Sequence, residues 1–241
     1  MASSLLTATL AWLSVGGFVA GALAMYYHER AGRLLTATTW GVFGIFWGTL
    51  VPQFWFVGSS FIEAALALVA VPLCFYTGYL LLDGRDSLFV ISRAVAVMGV
   101  IYLPATTIDA IYEPMIRTVT LQTQWAMNAL GYHPELVAND NGLQSVFLFV
   151  RPNGHRILTE IELACTGLGS MAIFAGLITA VDAPLDRKAK AFLVSIPVIW
   201  GLNLVRNVFI AVAFGEQWFR VFVPQVLALF GQSDPYYVSF L

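Results

Sequence analysis

Cys165 and Arg206 are the residues of this sequence whose types and surroundings point to chemistry. Cys165 lies where a turn-rich segment passes into an apolar run, within about one helical turn of the predicted water interface. Free N–H groups at a helix start carry partial positive charge, which favours the thiolate, the nucleophilic form of cysteine. The position therefore predicts a cysteine nucleophile. The alternative is a small apolar packing residue, which is our interpretation of Cys74.

Arg206 lies inside a second apolar run, where a permanently charged guanidinium is costly. Arginine at the centre of a membrane helix costs about 2.5–3.5 kcal/mol, so a retained arginine is expected to face the protein interior or a wet cavity. Asn203 shares its helix face, and Asn207 continues the polar stripe four residues after Asn203. Snorkelling of Arg206 toward the lipid headgroups is the alternative, but it does not explain the stripe.

Depth arithmetic predicts that the thiol and the guanidinium lie at a similar level of the membrane. Arg206 lies about 22 Å along its run at about 1.5 Å per residue, and Cys165 about one turn below the outer surface. Both then fall in the outer third of a hydrocarbon layer about 30 Å thick. Because a cation beside a thiolate can also stabilise a tetrahedral oxyanion, the pair predicts acyl transfer at the outer interface. Cys74 is expected about 20 Å below the outer face, too far for a disulfide, so Cys165 should be a free thiol.

The composition requires a membrane to position these residues. Of 241 residues, 59% are hydrophobic and 11% are charged, and the mean hydropathy is +0.79. A water-soluble domain carries about 25% charged residues, so the excess apolar surface predicts lipid as the solvent. The predicted fold is an all-α polytopic membrane protein with six to seven transmembrane helices. The predicted spans are 5–27, 36–57, 60–82, 88–111, 163–182 and 191–213, with a seventh beginning near Tyr236.

The positively charged loops predict the orientation of the chain, because lysine and arginine are retained on the cytoplasmic side. They occur in three alternate loops: Arg30 and Arg33, Arg85 and Arg93, and Arg187, Lys188 and Lys190. We therefore expect a cell-membrane protein with its active site toward the exterior. It is predicted to be a single membrane-embedded domain, 1–241, with 112–162 as an outward-facing ectoloop.

Within the ectoloop, the sequence predicts a short amphipathic helix over 118–130 and a turn-rich run over 131–142. Two β-rich runs then flank Arg151-Pro152-Asn153-Gly154. Asparagine and glycine tolerate the positive φ of tight turns, so this pattern predicts a small β-hairpin.

The charge and the cysteine pattern exclude other function classes. The net charge is −2 and the 12 lysines and arginines are scattered, so no basic stripe for nucleic acid is present. The two cysteines form no Cx2C pattern and there is no HExxH motif, so no metal and no cofactor are expected. The sequence does not determine the oligomeric state.

Four further polar residues are candidates for supporting roles. Glu162 precedes the cysteine by three residues and can orient a partner or the arginine, or it is a solvated charge at a helix start. Thr166 follows the cysteine directly. Asp109, at the outer end of the fourth span, can pair with the arginine or with substrate, or it is a simple interface residue. His155, in the hairpin turn, can act as a general base if the hairpin folds over the cysteine.

Two motifs carry a resemblance to a known family. They are Ala164-Cys165-Thr166-Gly167-Leu168-Gly169-Ser170 and, on the next predicted helix, Asn203-Leu204-Val205-Arg206-Asn207. With residues 92–100 and Ser233-Asp234-Pro235-Tyr236, they make most of the chain similar to the archaeosortases, the archaeal branch of the exosortase/archaeosortase membrane transpeptidases. The resemblance is closest to the archaeosortase A group.

The resemblance implies a cysteine nucleophile at Cys165 and a catalytic arginine at Arg206. It implies substrate proteins with a C-terminal PGF-type motif, a transmembrane helix and a basic tail. The tail is removed, and the new C-terminus passes through an acyl-thioester on Cys165 to a membrane lipid. The family also has a third basic residue, Arg or His, on a helix after the Ser-Asp-Pro-Tyr region. Because this sequence stops at Leu241, we expect a truncated C-terminus and assign no third residue.

Two other classes stay open from the residues alone. A small transporter or channel would line a polar path for an anionic solute with Arg206, Asn203 and Asp109. A non-catalytic membrane scaffold would need none of these side chains. The enzyme hypothesis predicts that Cys165→Ala abolishes substrate processing, whereas a transporter would tolerate this substitution.

Overall fold

The computed structural model describes residues 2–58, 60–230 and Tyr236. The chain is mainly helical, with a small sheet between the fifth and sixth helices. The elements are α1 (Ala2–Tyr27), α2 (Glu29–Pro52) with a π-helical turn (Gln53–Val57), α3 (Phe61–Leu82), α4 (Leu88–Thr107), α5 (Asp109–Ala129), β1 (Glu135–Ala138), β2 (Gln144–Val150), β3 (Arg156–Glu160), a 3-10 turn (Leu163–Thr166), α6 (Leu168–Ala180), α7 (Leu185–Gly215) and α8 (Val223–Phe230).

The described residues divide into two compact units. The first lies within Met1–Thr107 and Ala172–Leu193, and the second within Ile108–Met171 and Val194–Leu241. Helices α6 and α7 each contribute residues to both units. The three strands and the 3-10 turn belong to the second unit.

The first unit packs α1 to α4 with the end of α6 and the beginning of α7. Its apolar core includes Phe18, Trp40, Leu81 and Phe89. Trp40 Nε1 donates a hydrogen bond of 2.8 Å to Ser92 Oγ, which joins α2 to α4. Membrane helices associate through such packing and polar contacts, because lipid is as apolar as their side chains.

Glycines at two helix crossings bring α4 close to its neighbours in the first unit. A Cβ at Gly176 of α6 would overlap the Ala94 carbonyl of α4, and one at Gly99 of α4 would overlap the Val15 side chain of α1. Small residues at such crossings let two helices approach closely. The contacts bring α1, α4 and the end of α6 together.

The second unit packs the sheet against α5 and the later part of α7. Ile116 and Met127 of α5, Phe147 of β2 and Val212 of α7 are all buried in one apolar cluster. The cluster joins α5, β2 and α7 through apolar packing.

The sheet is antiparallel with the strand order β1-β2-β3. Phe149 of β2 lies opposite Ile157 of β3, and the intervening turn is closed by the Arg151 N–H, which donates to the His155 carbonyl at 2.9 Å. The predicted β-hairpin is therefore confirmed. An ion pair of 2.7 Å between Arg151 and Glu216 connects its turn to the segment that follows α7.

Strand β1 corrects the interpretation of 131–142 as turns alone. The Asn139 carboxamide oxygen accepts hydrogen bonds from the N–H groups of Asn141 and Leu143, and Gly142 has a φ of +82°. This tight turn pairs Glu135–Ala138 with β2. A short strand with a local turn of this kind is visible only when its partner strand is known.

The predicted fold class is confirmed. Five of the described helices are long and apolar enough to cross a membrane: Leu5–Tyr27, Glu29–Val57, Phe61–Leu82, Leu88–Thr107 and Leu185–Gly215. The count of six to seven spans stays a prediction, because α6 has 13 residues and the seventh predicted span continues beyond Tyr236, outside the described residues. The orientation and the single-domain organisation also stay predictions.

Several predicted boundaries were wrong, and three of them concern α4, α5 and α6. The fourth span was predicted to reach residue 111, but α4 ends at Thr107 because Ile108 is extended, with φ −119° and ψ 107°. The helix predicted over 118–130 instead begins at Asp109. The fifth span was predicted from 163, whereas α6 begins at Leu168 after the left-handed Gly167.

Candidate active site

Cys165 lies in a single 3-10 turn, Leu163–Thr166, between β3 and α6. Thr166 is 1% exposed, and its hydroxyl donates to the Leu163 carbonyl at 2.7 Å. The same hydroxyl accepts a hydrogen bond of 3.2 Å from the Leu168 N–H. Thr166 therefore closes the turn and connects it to the first residue of α6.

Gly167 ends this turn in a conformation that favours glycine. Its φ is +74°, in the left-handed region, where a Cβ costs roughly 1–2 kcal/mol. A Cβ at Gly167 would also lie 3.0 Å from Cγ of Asn203. The absent side chain thus lets the backbone of the Cys165 turn lie directly against α7.

Two asparagines of α7 bind the backbone of the nucleophile candidate. Asn203 Nδ2 and Asn207 Nδ2 donate to the Cys165 carbonyl oxygen at 2.5 and 2.6 Å. The i, i+4 spacing places both amides on one face of the helix, so that a single oxygen can accept from both. We call this pair of hydrogen bonds the asparagine clamp. It fixes the Cys165 peptide and therefore the backbone position from which the thiol side chain extends.

Asn207 is 3% exposed, and its amide is only partly satisfied. Its Nδ2 group serves the clamp, whereas Oδ1 is buried and accepts no hydrogen bond from the described residues. A buried polar atom without a partner costs about 1–3 kcal/mol. The Asn207 oxygen is therefore available to a donor in the Cys165 region.

Arg206 lies between the two clamp residues on α7, and its side chain is exposed. It forms no hydrogen bond or ion pair with residues 2–58, 60–230 or Tyr236. The two asparagines of the predicted polar stripe contact the backbone of Cys165, whereas Arg206 of the same stripe is exposed. The Arg206 backbone lies beside the clamp, and its guanidinium is available to pair with an anion.

Cys165 is partly buried and packs against the apolar cluster of the second unit. Both cysteines of the described chain are free, which confirms the prediction of a free thiol at Cys165. Cys74 is buried within α3, in agreement with its interpretation as a packing residue.

The chain matches the Transmembrane exosortase family over residues 8–231. This match spans most of the sequence and includes both the Cys165 turn and the asparagine clamp. The chain belongs to the transmembrane exosortase family.

Two relatives are similar to this exosortase-family chain over nearly its whole length. Archaeosortase A of Haloferax volcanii is 47% identical over 246 aligned residues, which cover 98% of this chain and 81% of that protein. Archaeosortase A of Natronomonas pharaonis is 44% identical over 240, which cover 97% and 76%. No solved structure matches the chain. The resemblance to archaeosortase A is confirmed, and these names indicate a membrane processing enzyme.

Two acidic side chains of this exosortase-family protein, Glu160 and Glu162, act on Tyr112 of α5. The pKa of Tyr112 is raised above its ordinary value, first by burial and then by the charges of Glu160 and Glu162. Glu162 directly precedes the Cys165 turn and is exposed. It forms no ion pair with Arg206 in the described chain, so a role in orienting the arginine stays a prediction.

His155 lies in the hairpin turn, where its ring stacks on Tyr236 with centroids 4.1 Å apart. Asn153 Nδ2 donates to the Tyr236 hydroxyl at 2.6 Å, and the Arg220 guanidinium lies over the same ring at 5.2 Å. Sequence reasoning missed Tyr236 as the partner of His155. A general-base role for His155 stays a prediction. Residues 233–235 of the Ser-Asp-Pro-Tyr motif lie outside the described residues.

Asp109 is the first residue of α5, and its side chain is exposed. Within the described ranges it has no ion pair with Arg206, so the structure does not bring these two predicted partners together. The same ranges contain no cluster of three or more His, Cys, Asp or Glu side chains that could hold a metal ion.

Proposed function

We propose that this protein is a membrane cysteine transpeptidase in which Cys165 is the nucleophile and Arg206 stabilises negative charge. The observation that carries the proposal is the asparagine clamp, because two side chains that flank Arg206 both bind the Cys165 carbonyl. The backbone of the cysteine and the arginine-bearing segment of α7 are therefore tied together.

In the proposed reaction, the Cys165 thiolate attacks the scissile carbonyl of the substrate. A bond forms between Sγ and the carbonyl carbon, and negative charge develops on the carbonyl oxygen. The Arg206 guanidinium stabilises this oxyanion, or the thiolate before attack, through charge-assisted hydrogen bonds. The C–N bond then breaks, the leaving amine takes up a proton from water and departs with the C-terminal segment of the substrate, and the acyl-thioester stays on Cys165.

The asparagine clamp supplies orientation in this scheme. Catalytic groups act efficiently when the geometry of attack is fixed before the substrate binds. Thr166 and Gly167 form the turn, and the clamp holds its central peptide against α7. The Cα atom of Cys165 is then held in one position, so the place of the thiol depends only on rotation about the side-chain χ1 bond.

The similarity to archaeosortase A supports a class of substrate and of acceptor for this reaction. We propose that the substrates are surface proteins with a C-terminal PGF-type motif, a transmembrane helix and a basic tail. A membrane lipid then resolves the thioester, and the reaction takes place on the exterior face of the cell membrane. A substrate helix that shares the bilayer with the enzyme would carry its scissile bond to the depth of Cys165.

The transporter hypothesis has less support. It requires Asn203 to line a polar path, but its amide donates to the Cys165 backbone. It also places Asp109 and Arg206 along one path, and these two side chains form no ion pair within the described ranges.

Trapping of an acyl adduct tests the proposal. The full chain is incubated in proteoliposomes with a C-terminal substrate peptide that includes the transmembrane helix, and the adduct is located by mass spectrometry. The expected adduct is on Cys165, and Cys165→Ala abolishes both adduct and cleavage. Cys74→Ala is the matched control and should retain both. Cleavage that persists in folded Cys165→Ala would exclude the proposed nucleophile.

A further inference from the structure

The first unit contains a groove among α1, α4, the end of α6 and the beginning of α7. Its volume is about 470 Å³, within the roughly 300–1,000 Å³ typical of ligand pockets. Apolar side chains form most of its wall: Val19, Leu23, Ala96, Val97, Val100 and Ile101. An apolar wall of this kind suits a hydrocarbon chain.

Two cations lie at one end of this groove, Arg93 of α4 and Lys188 of α7. Arg93 lies about 8 Å along its membrane helix, at 1.5 Å per residue from Leu88. It is partly buried and forms no hydrogen bond or ion pair with the described part of the chain. An unpaired arginine within a membrane span is expensive, so it requires a partner from outside the protein or water.

Lys188 and Asp182 complete the polar end of the groove. Lys188 Nζ donates to the Thr179 carbonyl at 2.8 Å, which holds the ammonium at the end of α6. Asp182 also lines the groove and is exposed, and it forms no ion pair with Lys188 or Arg93 in the described residues. Neither cation therefore has a carboxylate at ion-pair distance among the described residues.

We propose that this groove binds an anionic phospholipid, with an acyl chain against Leu23, Val97 and Val100 and the phosphate between Arg93 and Lys188. An ion with an attached hydrocarbon chain matches both the apolar wall and the cationic end. Arginine suits a phosphate because its planar donors bind two oxygens at once. The proposal concerns the first unit alone and does not depend on the proposed function.

The predicted orientation agrees with this ligand. Arg93 and Lys188 belong to segments whose positive charge predicts a cytoplasmic location. The cytoplasmic leaflet carries anionic lipids, and each lysine or arginine near its surface adds about 1 kcal/mol of attraction. Snorkelling of Arg93 toward water is the competing explanation, and it predicts no preference for anionic lipid over zwitterionic lipid.

Native mass spectrometry of the full chain tests the assignment. The protein is titrated with phosphatidylglycerol or with phosphatidylcholine, and bound lipid is counted. We expect preferential retention of phosphatidylglycerol and, in Arg93→Gln/Lys188→Gln, a loss of affinity of roughly tenfold for each cation removed, because each removal takes away a charge-assisted hydrogen bond to the phosphate. Arg187→Gln/Lys190→Gln is the control, because both side chains are exposed at the beginning of the same helix. Equal affinities in the two double variants would overturn the proposal.

Two further measurements separate the acyl chain from the phosphate. Val97→Trp fills the groove and should lower phosphatidylglycerol affinity without a change of charge. Inorganic phosphate should not raise the melting temperature as phosphatidylglycerol vesicles do; equal stabilisation by phosphate would exclude a lipid site. If Arg93→Gln does not fold, Lys188→Gln alone carries the test, and an affinity unchanged from wild type would reject the site.

Discussion

Asn207 donates its amide to the Cys165 carbonyl at 2.6 Å, while its own carboxamide oxygen is buried without a donor among the described residues. The Nδ2 group of Asn207 therefore binds the backbone of Cys165, and its Oδ1 atom is left as an unused hydrogen-bond acceptor. Asn203 also donates to the Cys165 carbonyl, at 2.5 Å, but it is less buried than Asn207. The two clamp residues are therefore expected to differ in the effect of substitution.

Removal of the clamp should lower activity by releasing the Cys165 peptide. Each single alanine variant, Asn203→Ala or Asn207→Ala, removes one hydrogen bond and should cost about 0.5–1.5 kcal/mol, whereas the double variant leaves the carbonyl unpaired at about 1–3 kcal/mol. Thermal unfolding and substrate cleavage measure both effects. Asn128→Ala, on the exposed surface of α5, is the control. Wild-type cleavage in the double variant would contradict a positioning role.

Asn207→Asp should be more harmful than Asn207→Ala. The carboxylate is nearly isosteric, but when ionised it has no donor and would face the Cys165 carbonyl oxygen from a position that is 3% exposed. The comparison of melting temperatures between these two variants tests the assigned direction of the hydrogen bond. An aspartate variant as stable as the alanine variant would indicate that the amide does not donate to this carbonyl.

Gly167→Ala should destabilise the turn through two effects. The positive φ costs roughly 1–2 kcal/mol, and the new Cβ must also displace Asn203, which lies 3.0 Å away. Gly131→Ala separates them, because Gly131 has a φ of +88° and no atom within 4 Å of its Cβ position. Chemical denaturation should therefore show a larger loss for Gly167→Ala. Equal losses would mean that α7 does not constrain the turn.

Arg206→Lys should retain only a small part of the activity of the wild type. Lysine keeps the positive charge but lacks the planar set of donors that can bind two oxygens of a developing anion. Single-turnover cleavage compares Arg206→Lys with Arg206→Gln, and Arg117→Lys on α5 is the control. Full activity of Arg206→Lys would mean that positive charge alone is sufficient.

The stability of the second unit should fall at high pH through Tyr112. Its pKa in the folded protein is raised by burial and by Glu160 and Glu162, so the folded state keeps a proton that the unfolded state loses above pH about 10. The contribution of Tyr112 to the stability of the folded protein is complete below that pH, and it is lost as the pH rises through the pKa of the folded state. Absorbance titration should show a lower pKa in Glu160→Gln, and Glu135→Gln should leave it unchanged. An equal pKa in Glu160→Gln would exclude the charge effect.

The polar residues of α7 in the candidate site were predictable from the sequence, but the groups that they contact were not. The spacing of Asn203, Arg206 and Asn207 predicted one polar stripe, because helical periodicity is a local property. Its target, the Cys165 carbonyl, lies on another element, and no local rule pairs a side chain with a distant peptide oxygen. The early end of α4 was missed for a similar reason, since Ile108 is apolar and its residue type does not indicate the extended conformation that ends the helix.

The sequence by itself determined the membrane character, most of the helices and the β-hairpin. These features follow from apolar run length, from helical periodicity and from the conformations that glycine and asparagine tolerate in turns. Only the tertiary structure decided that the Cys165 turn is bound by Asn203 and Asn207, that Tyr236 stacks on His155 and that Arg93 and Lys188 share one groove. These contacts join residues far apart in the chain, and their geometry depends on how whole elements pack.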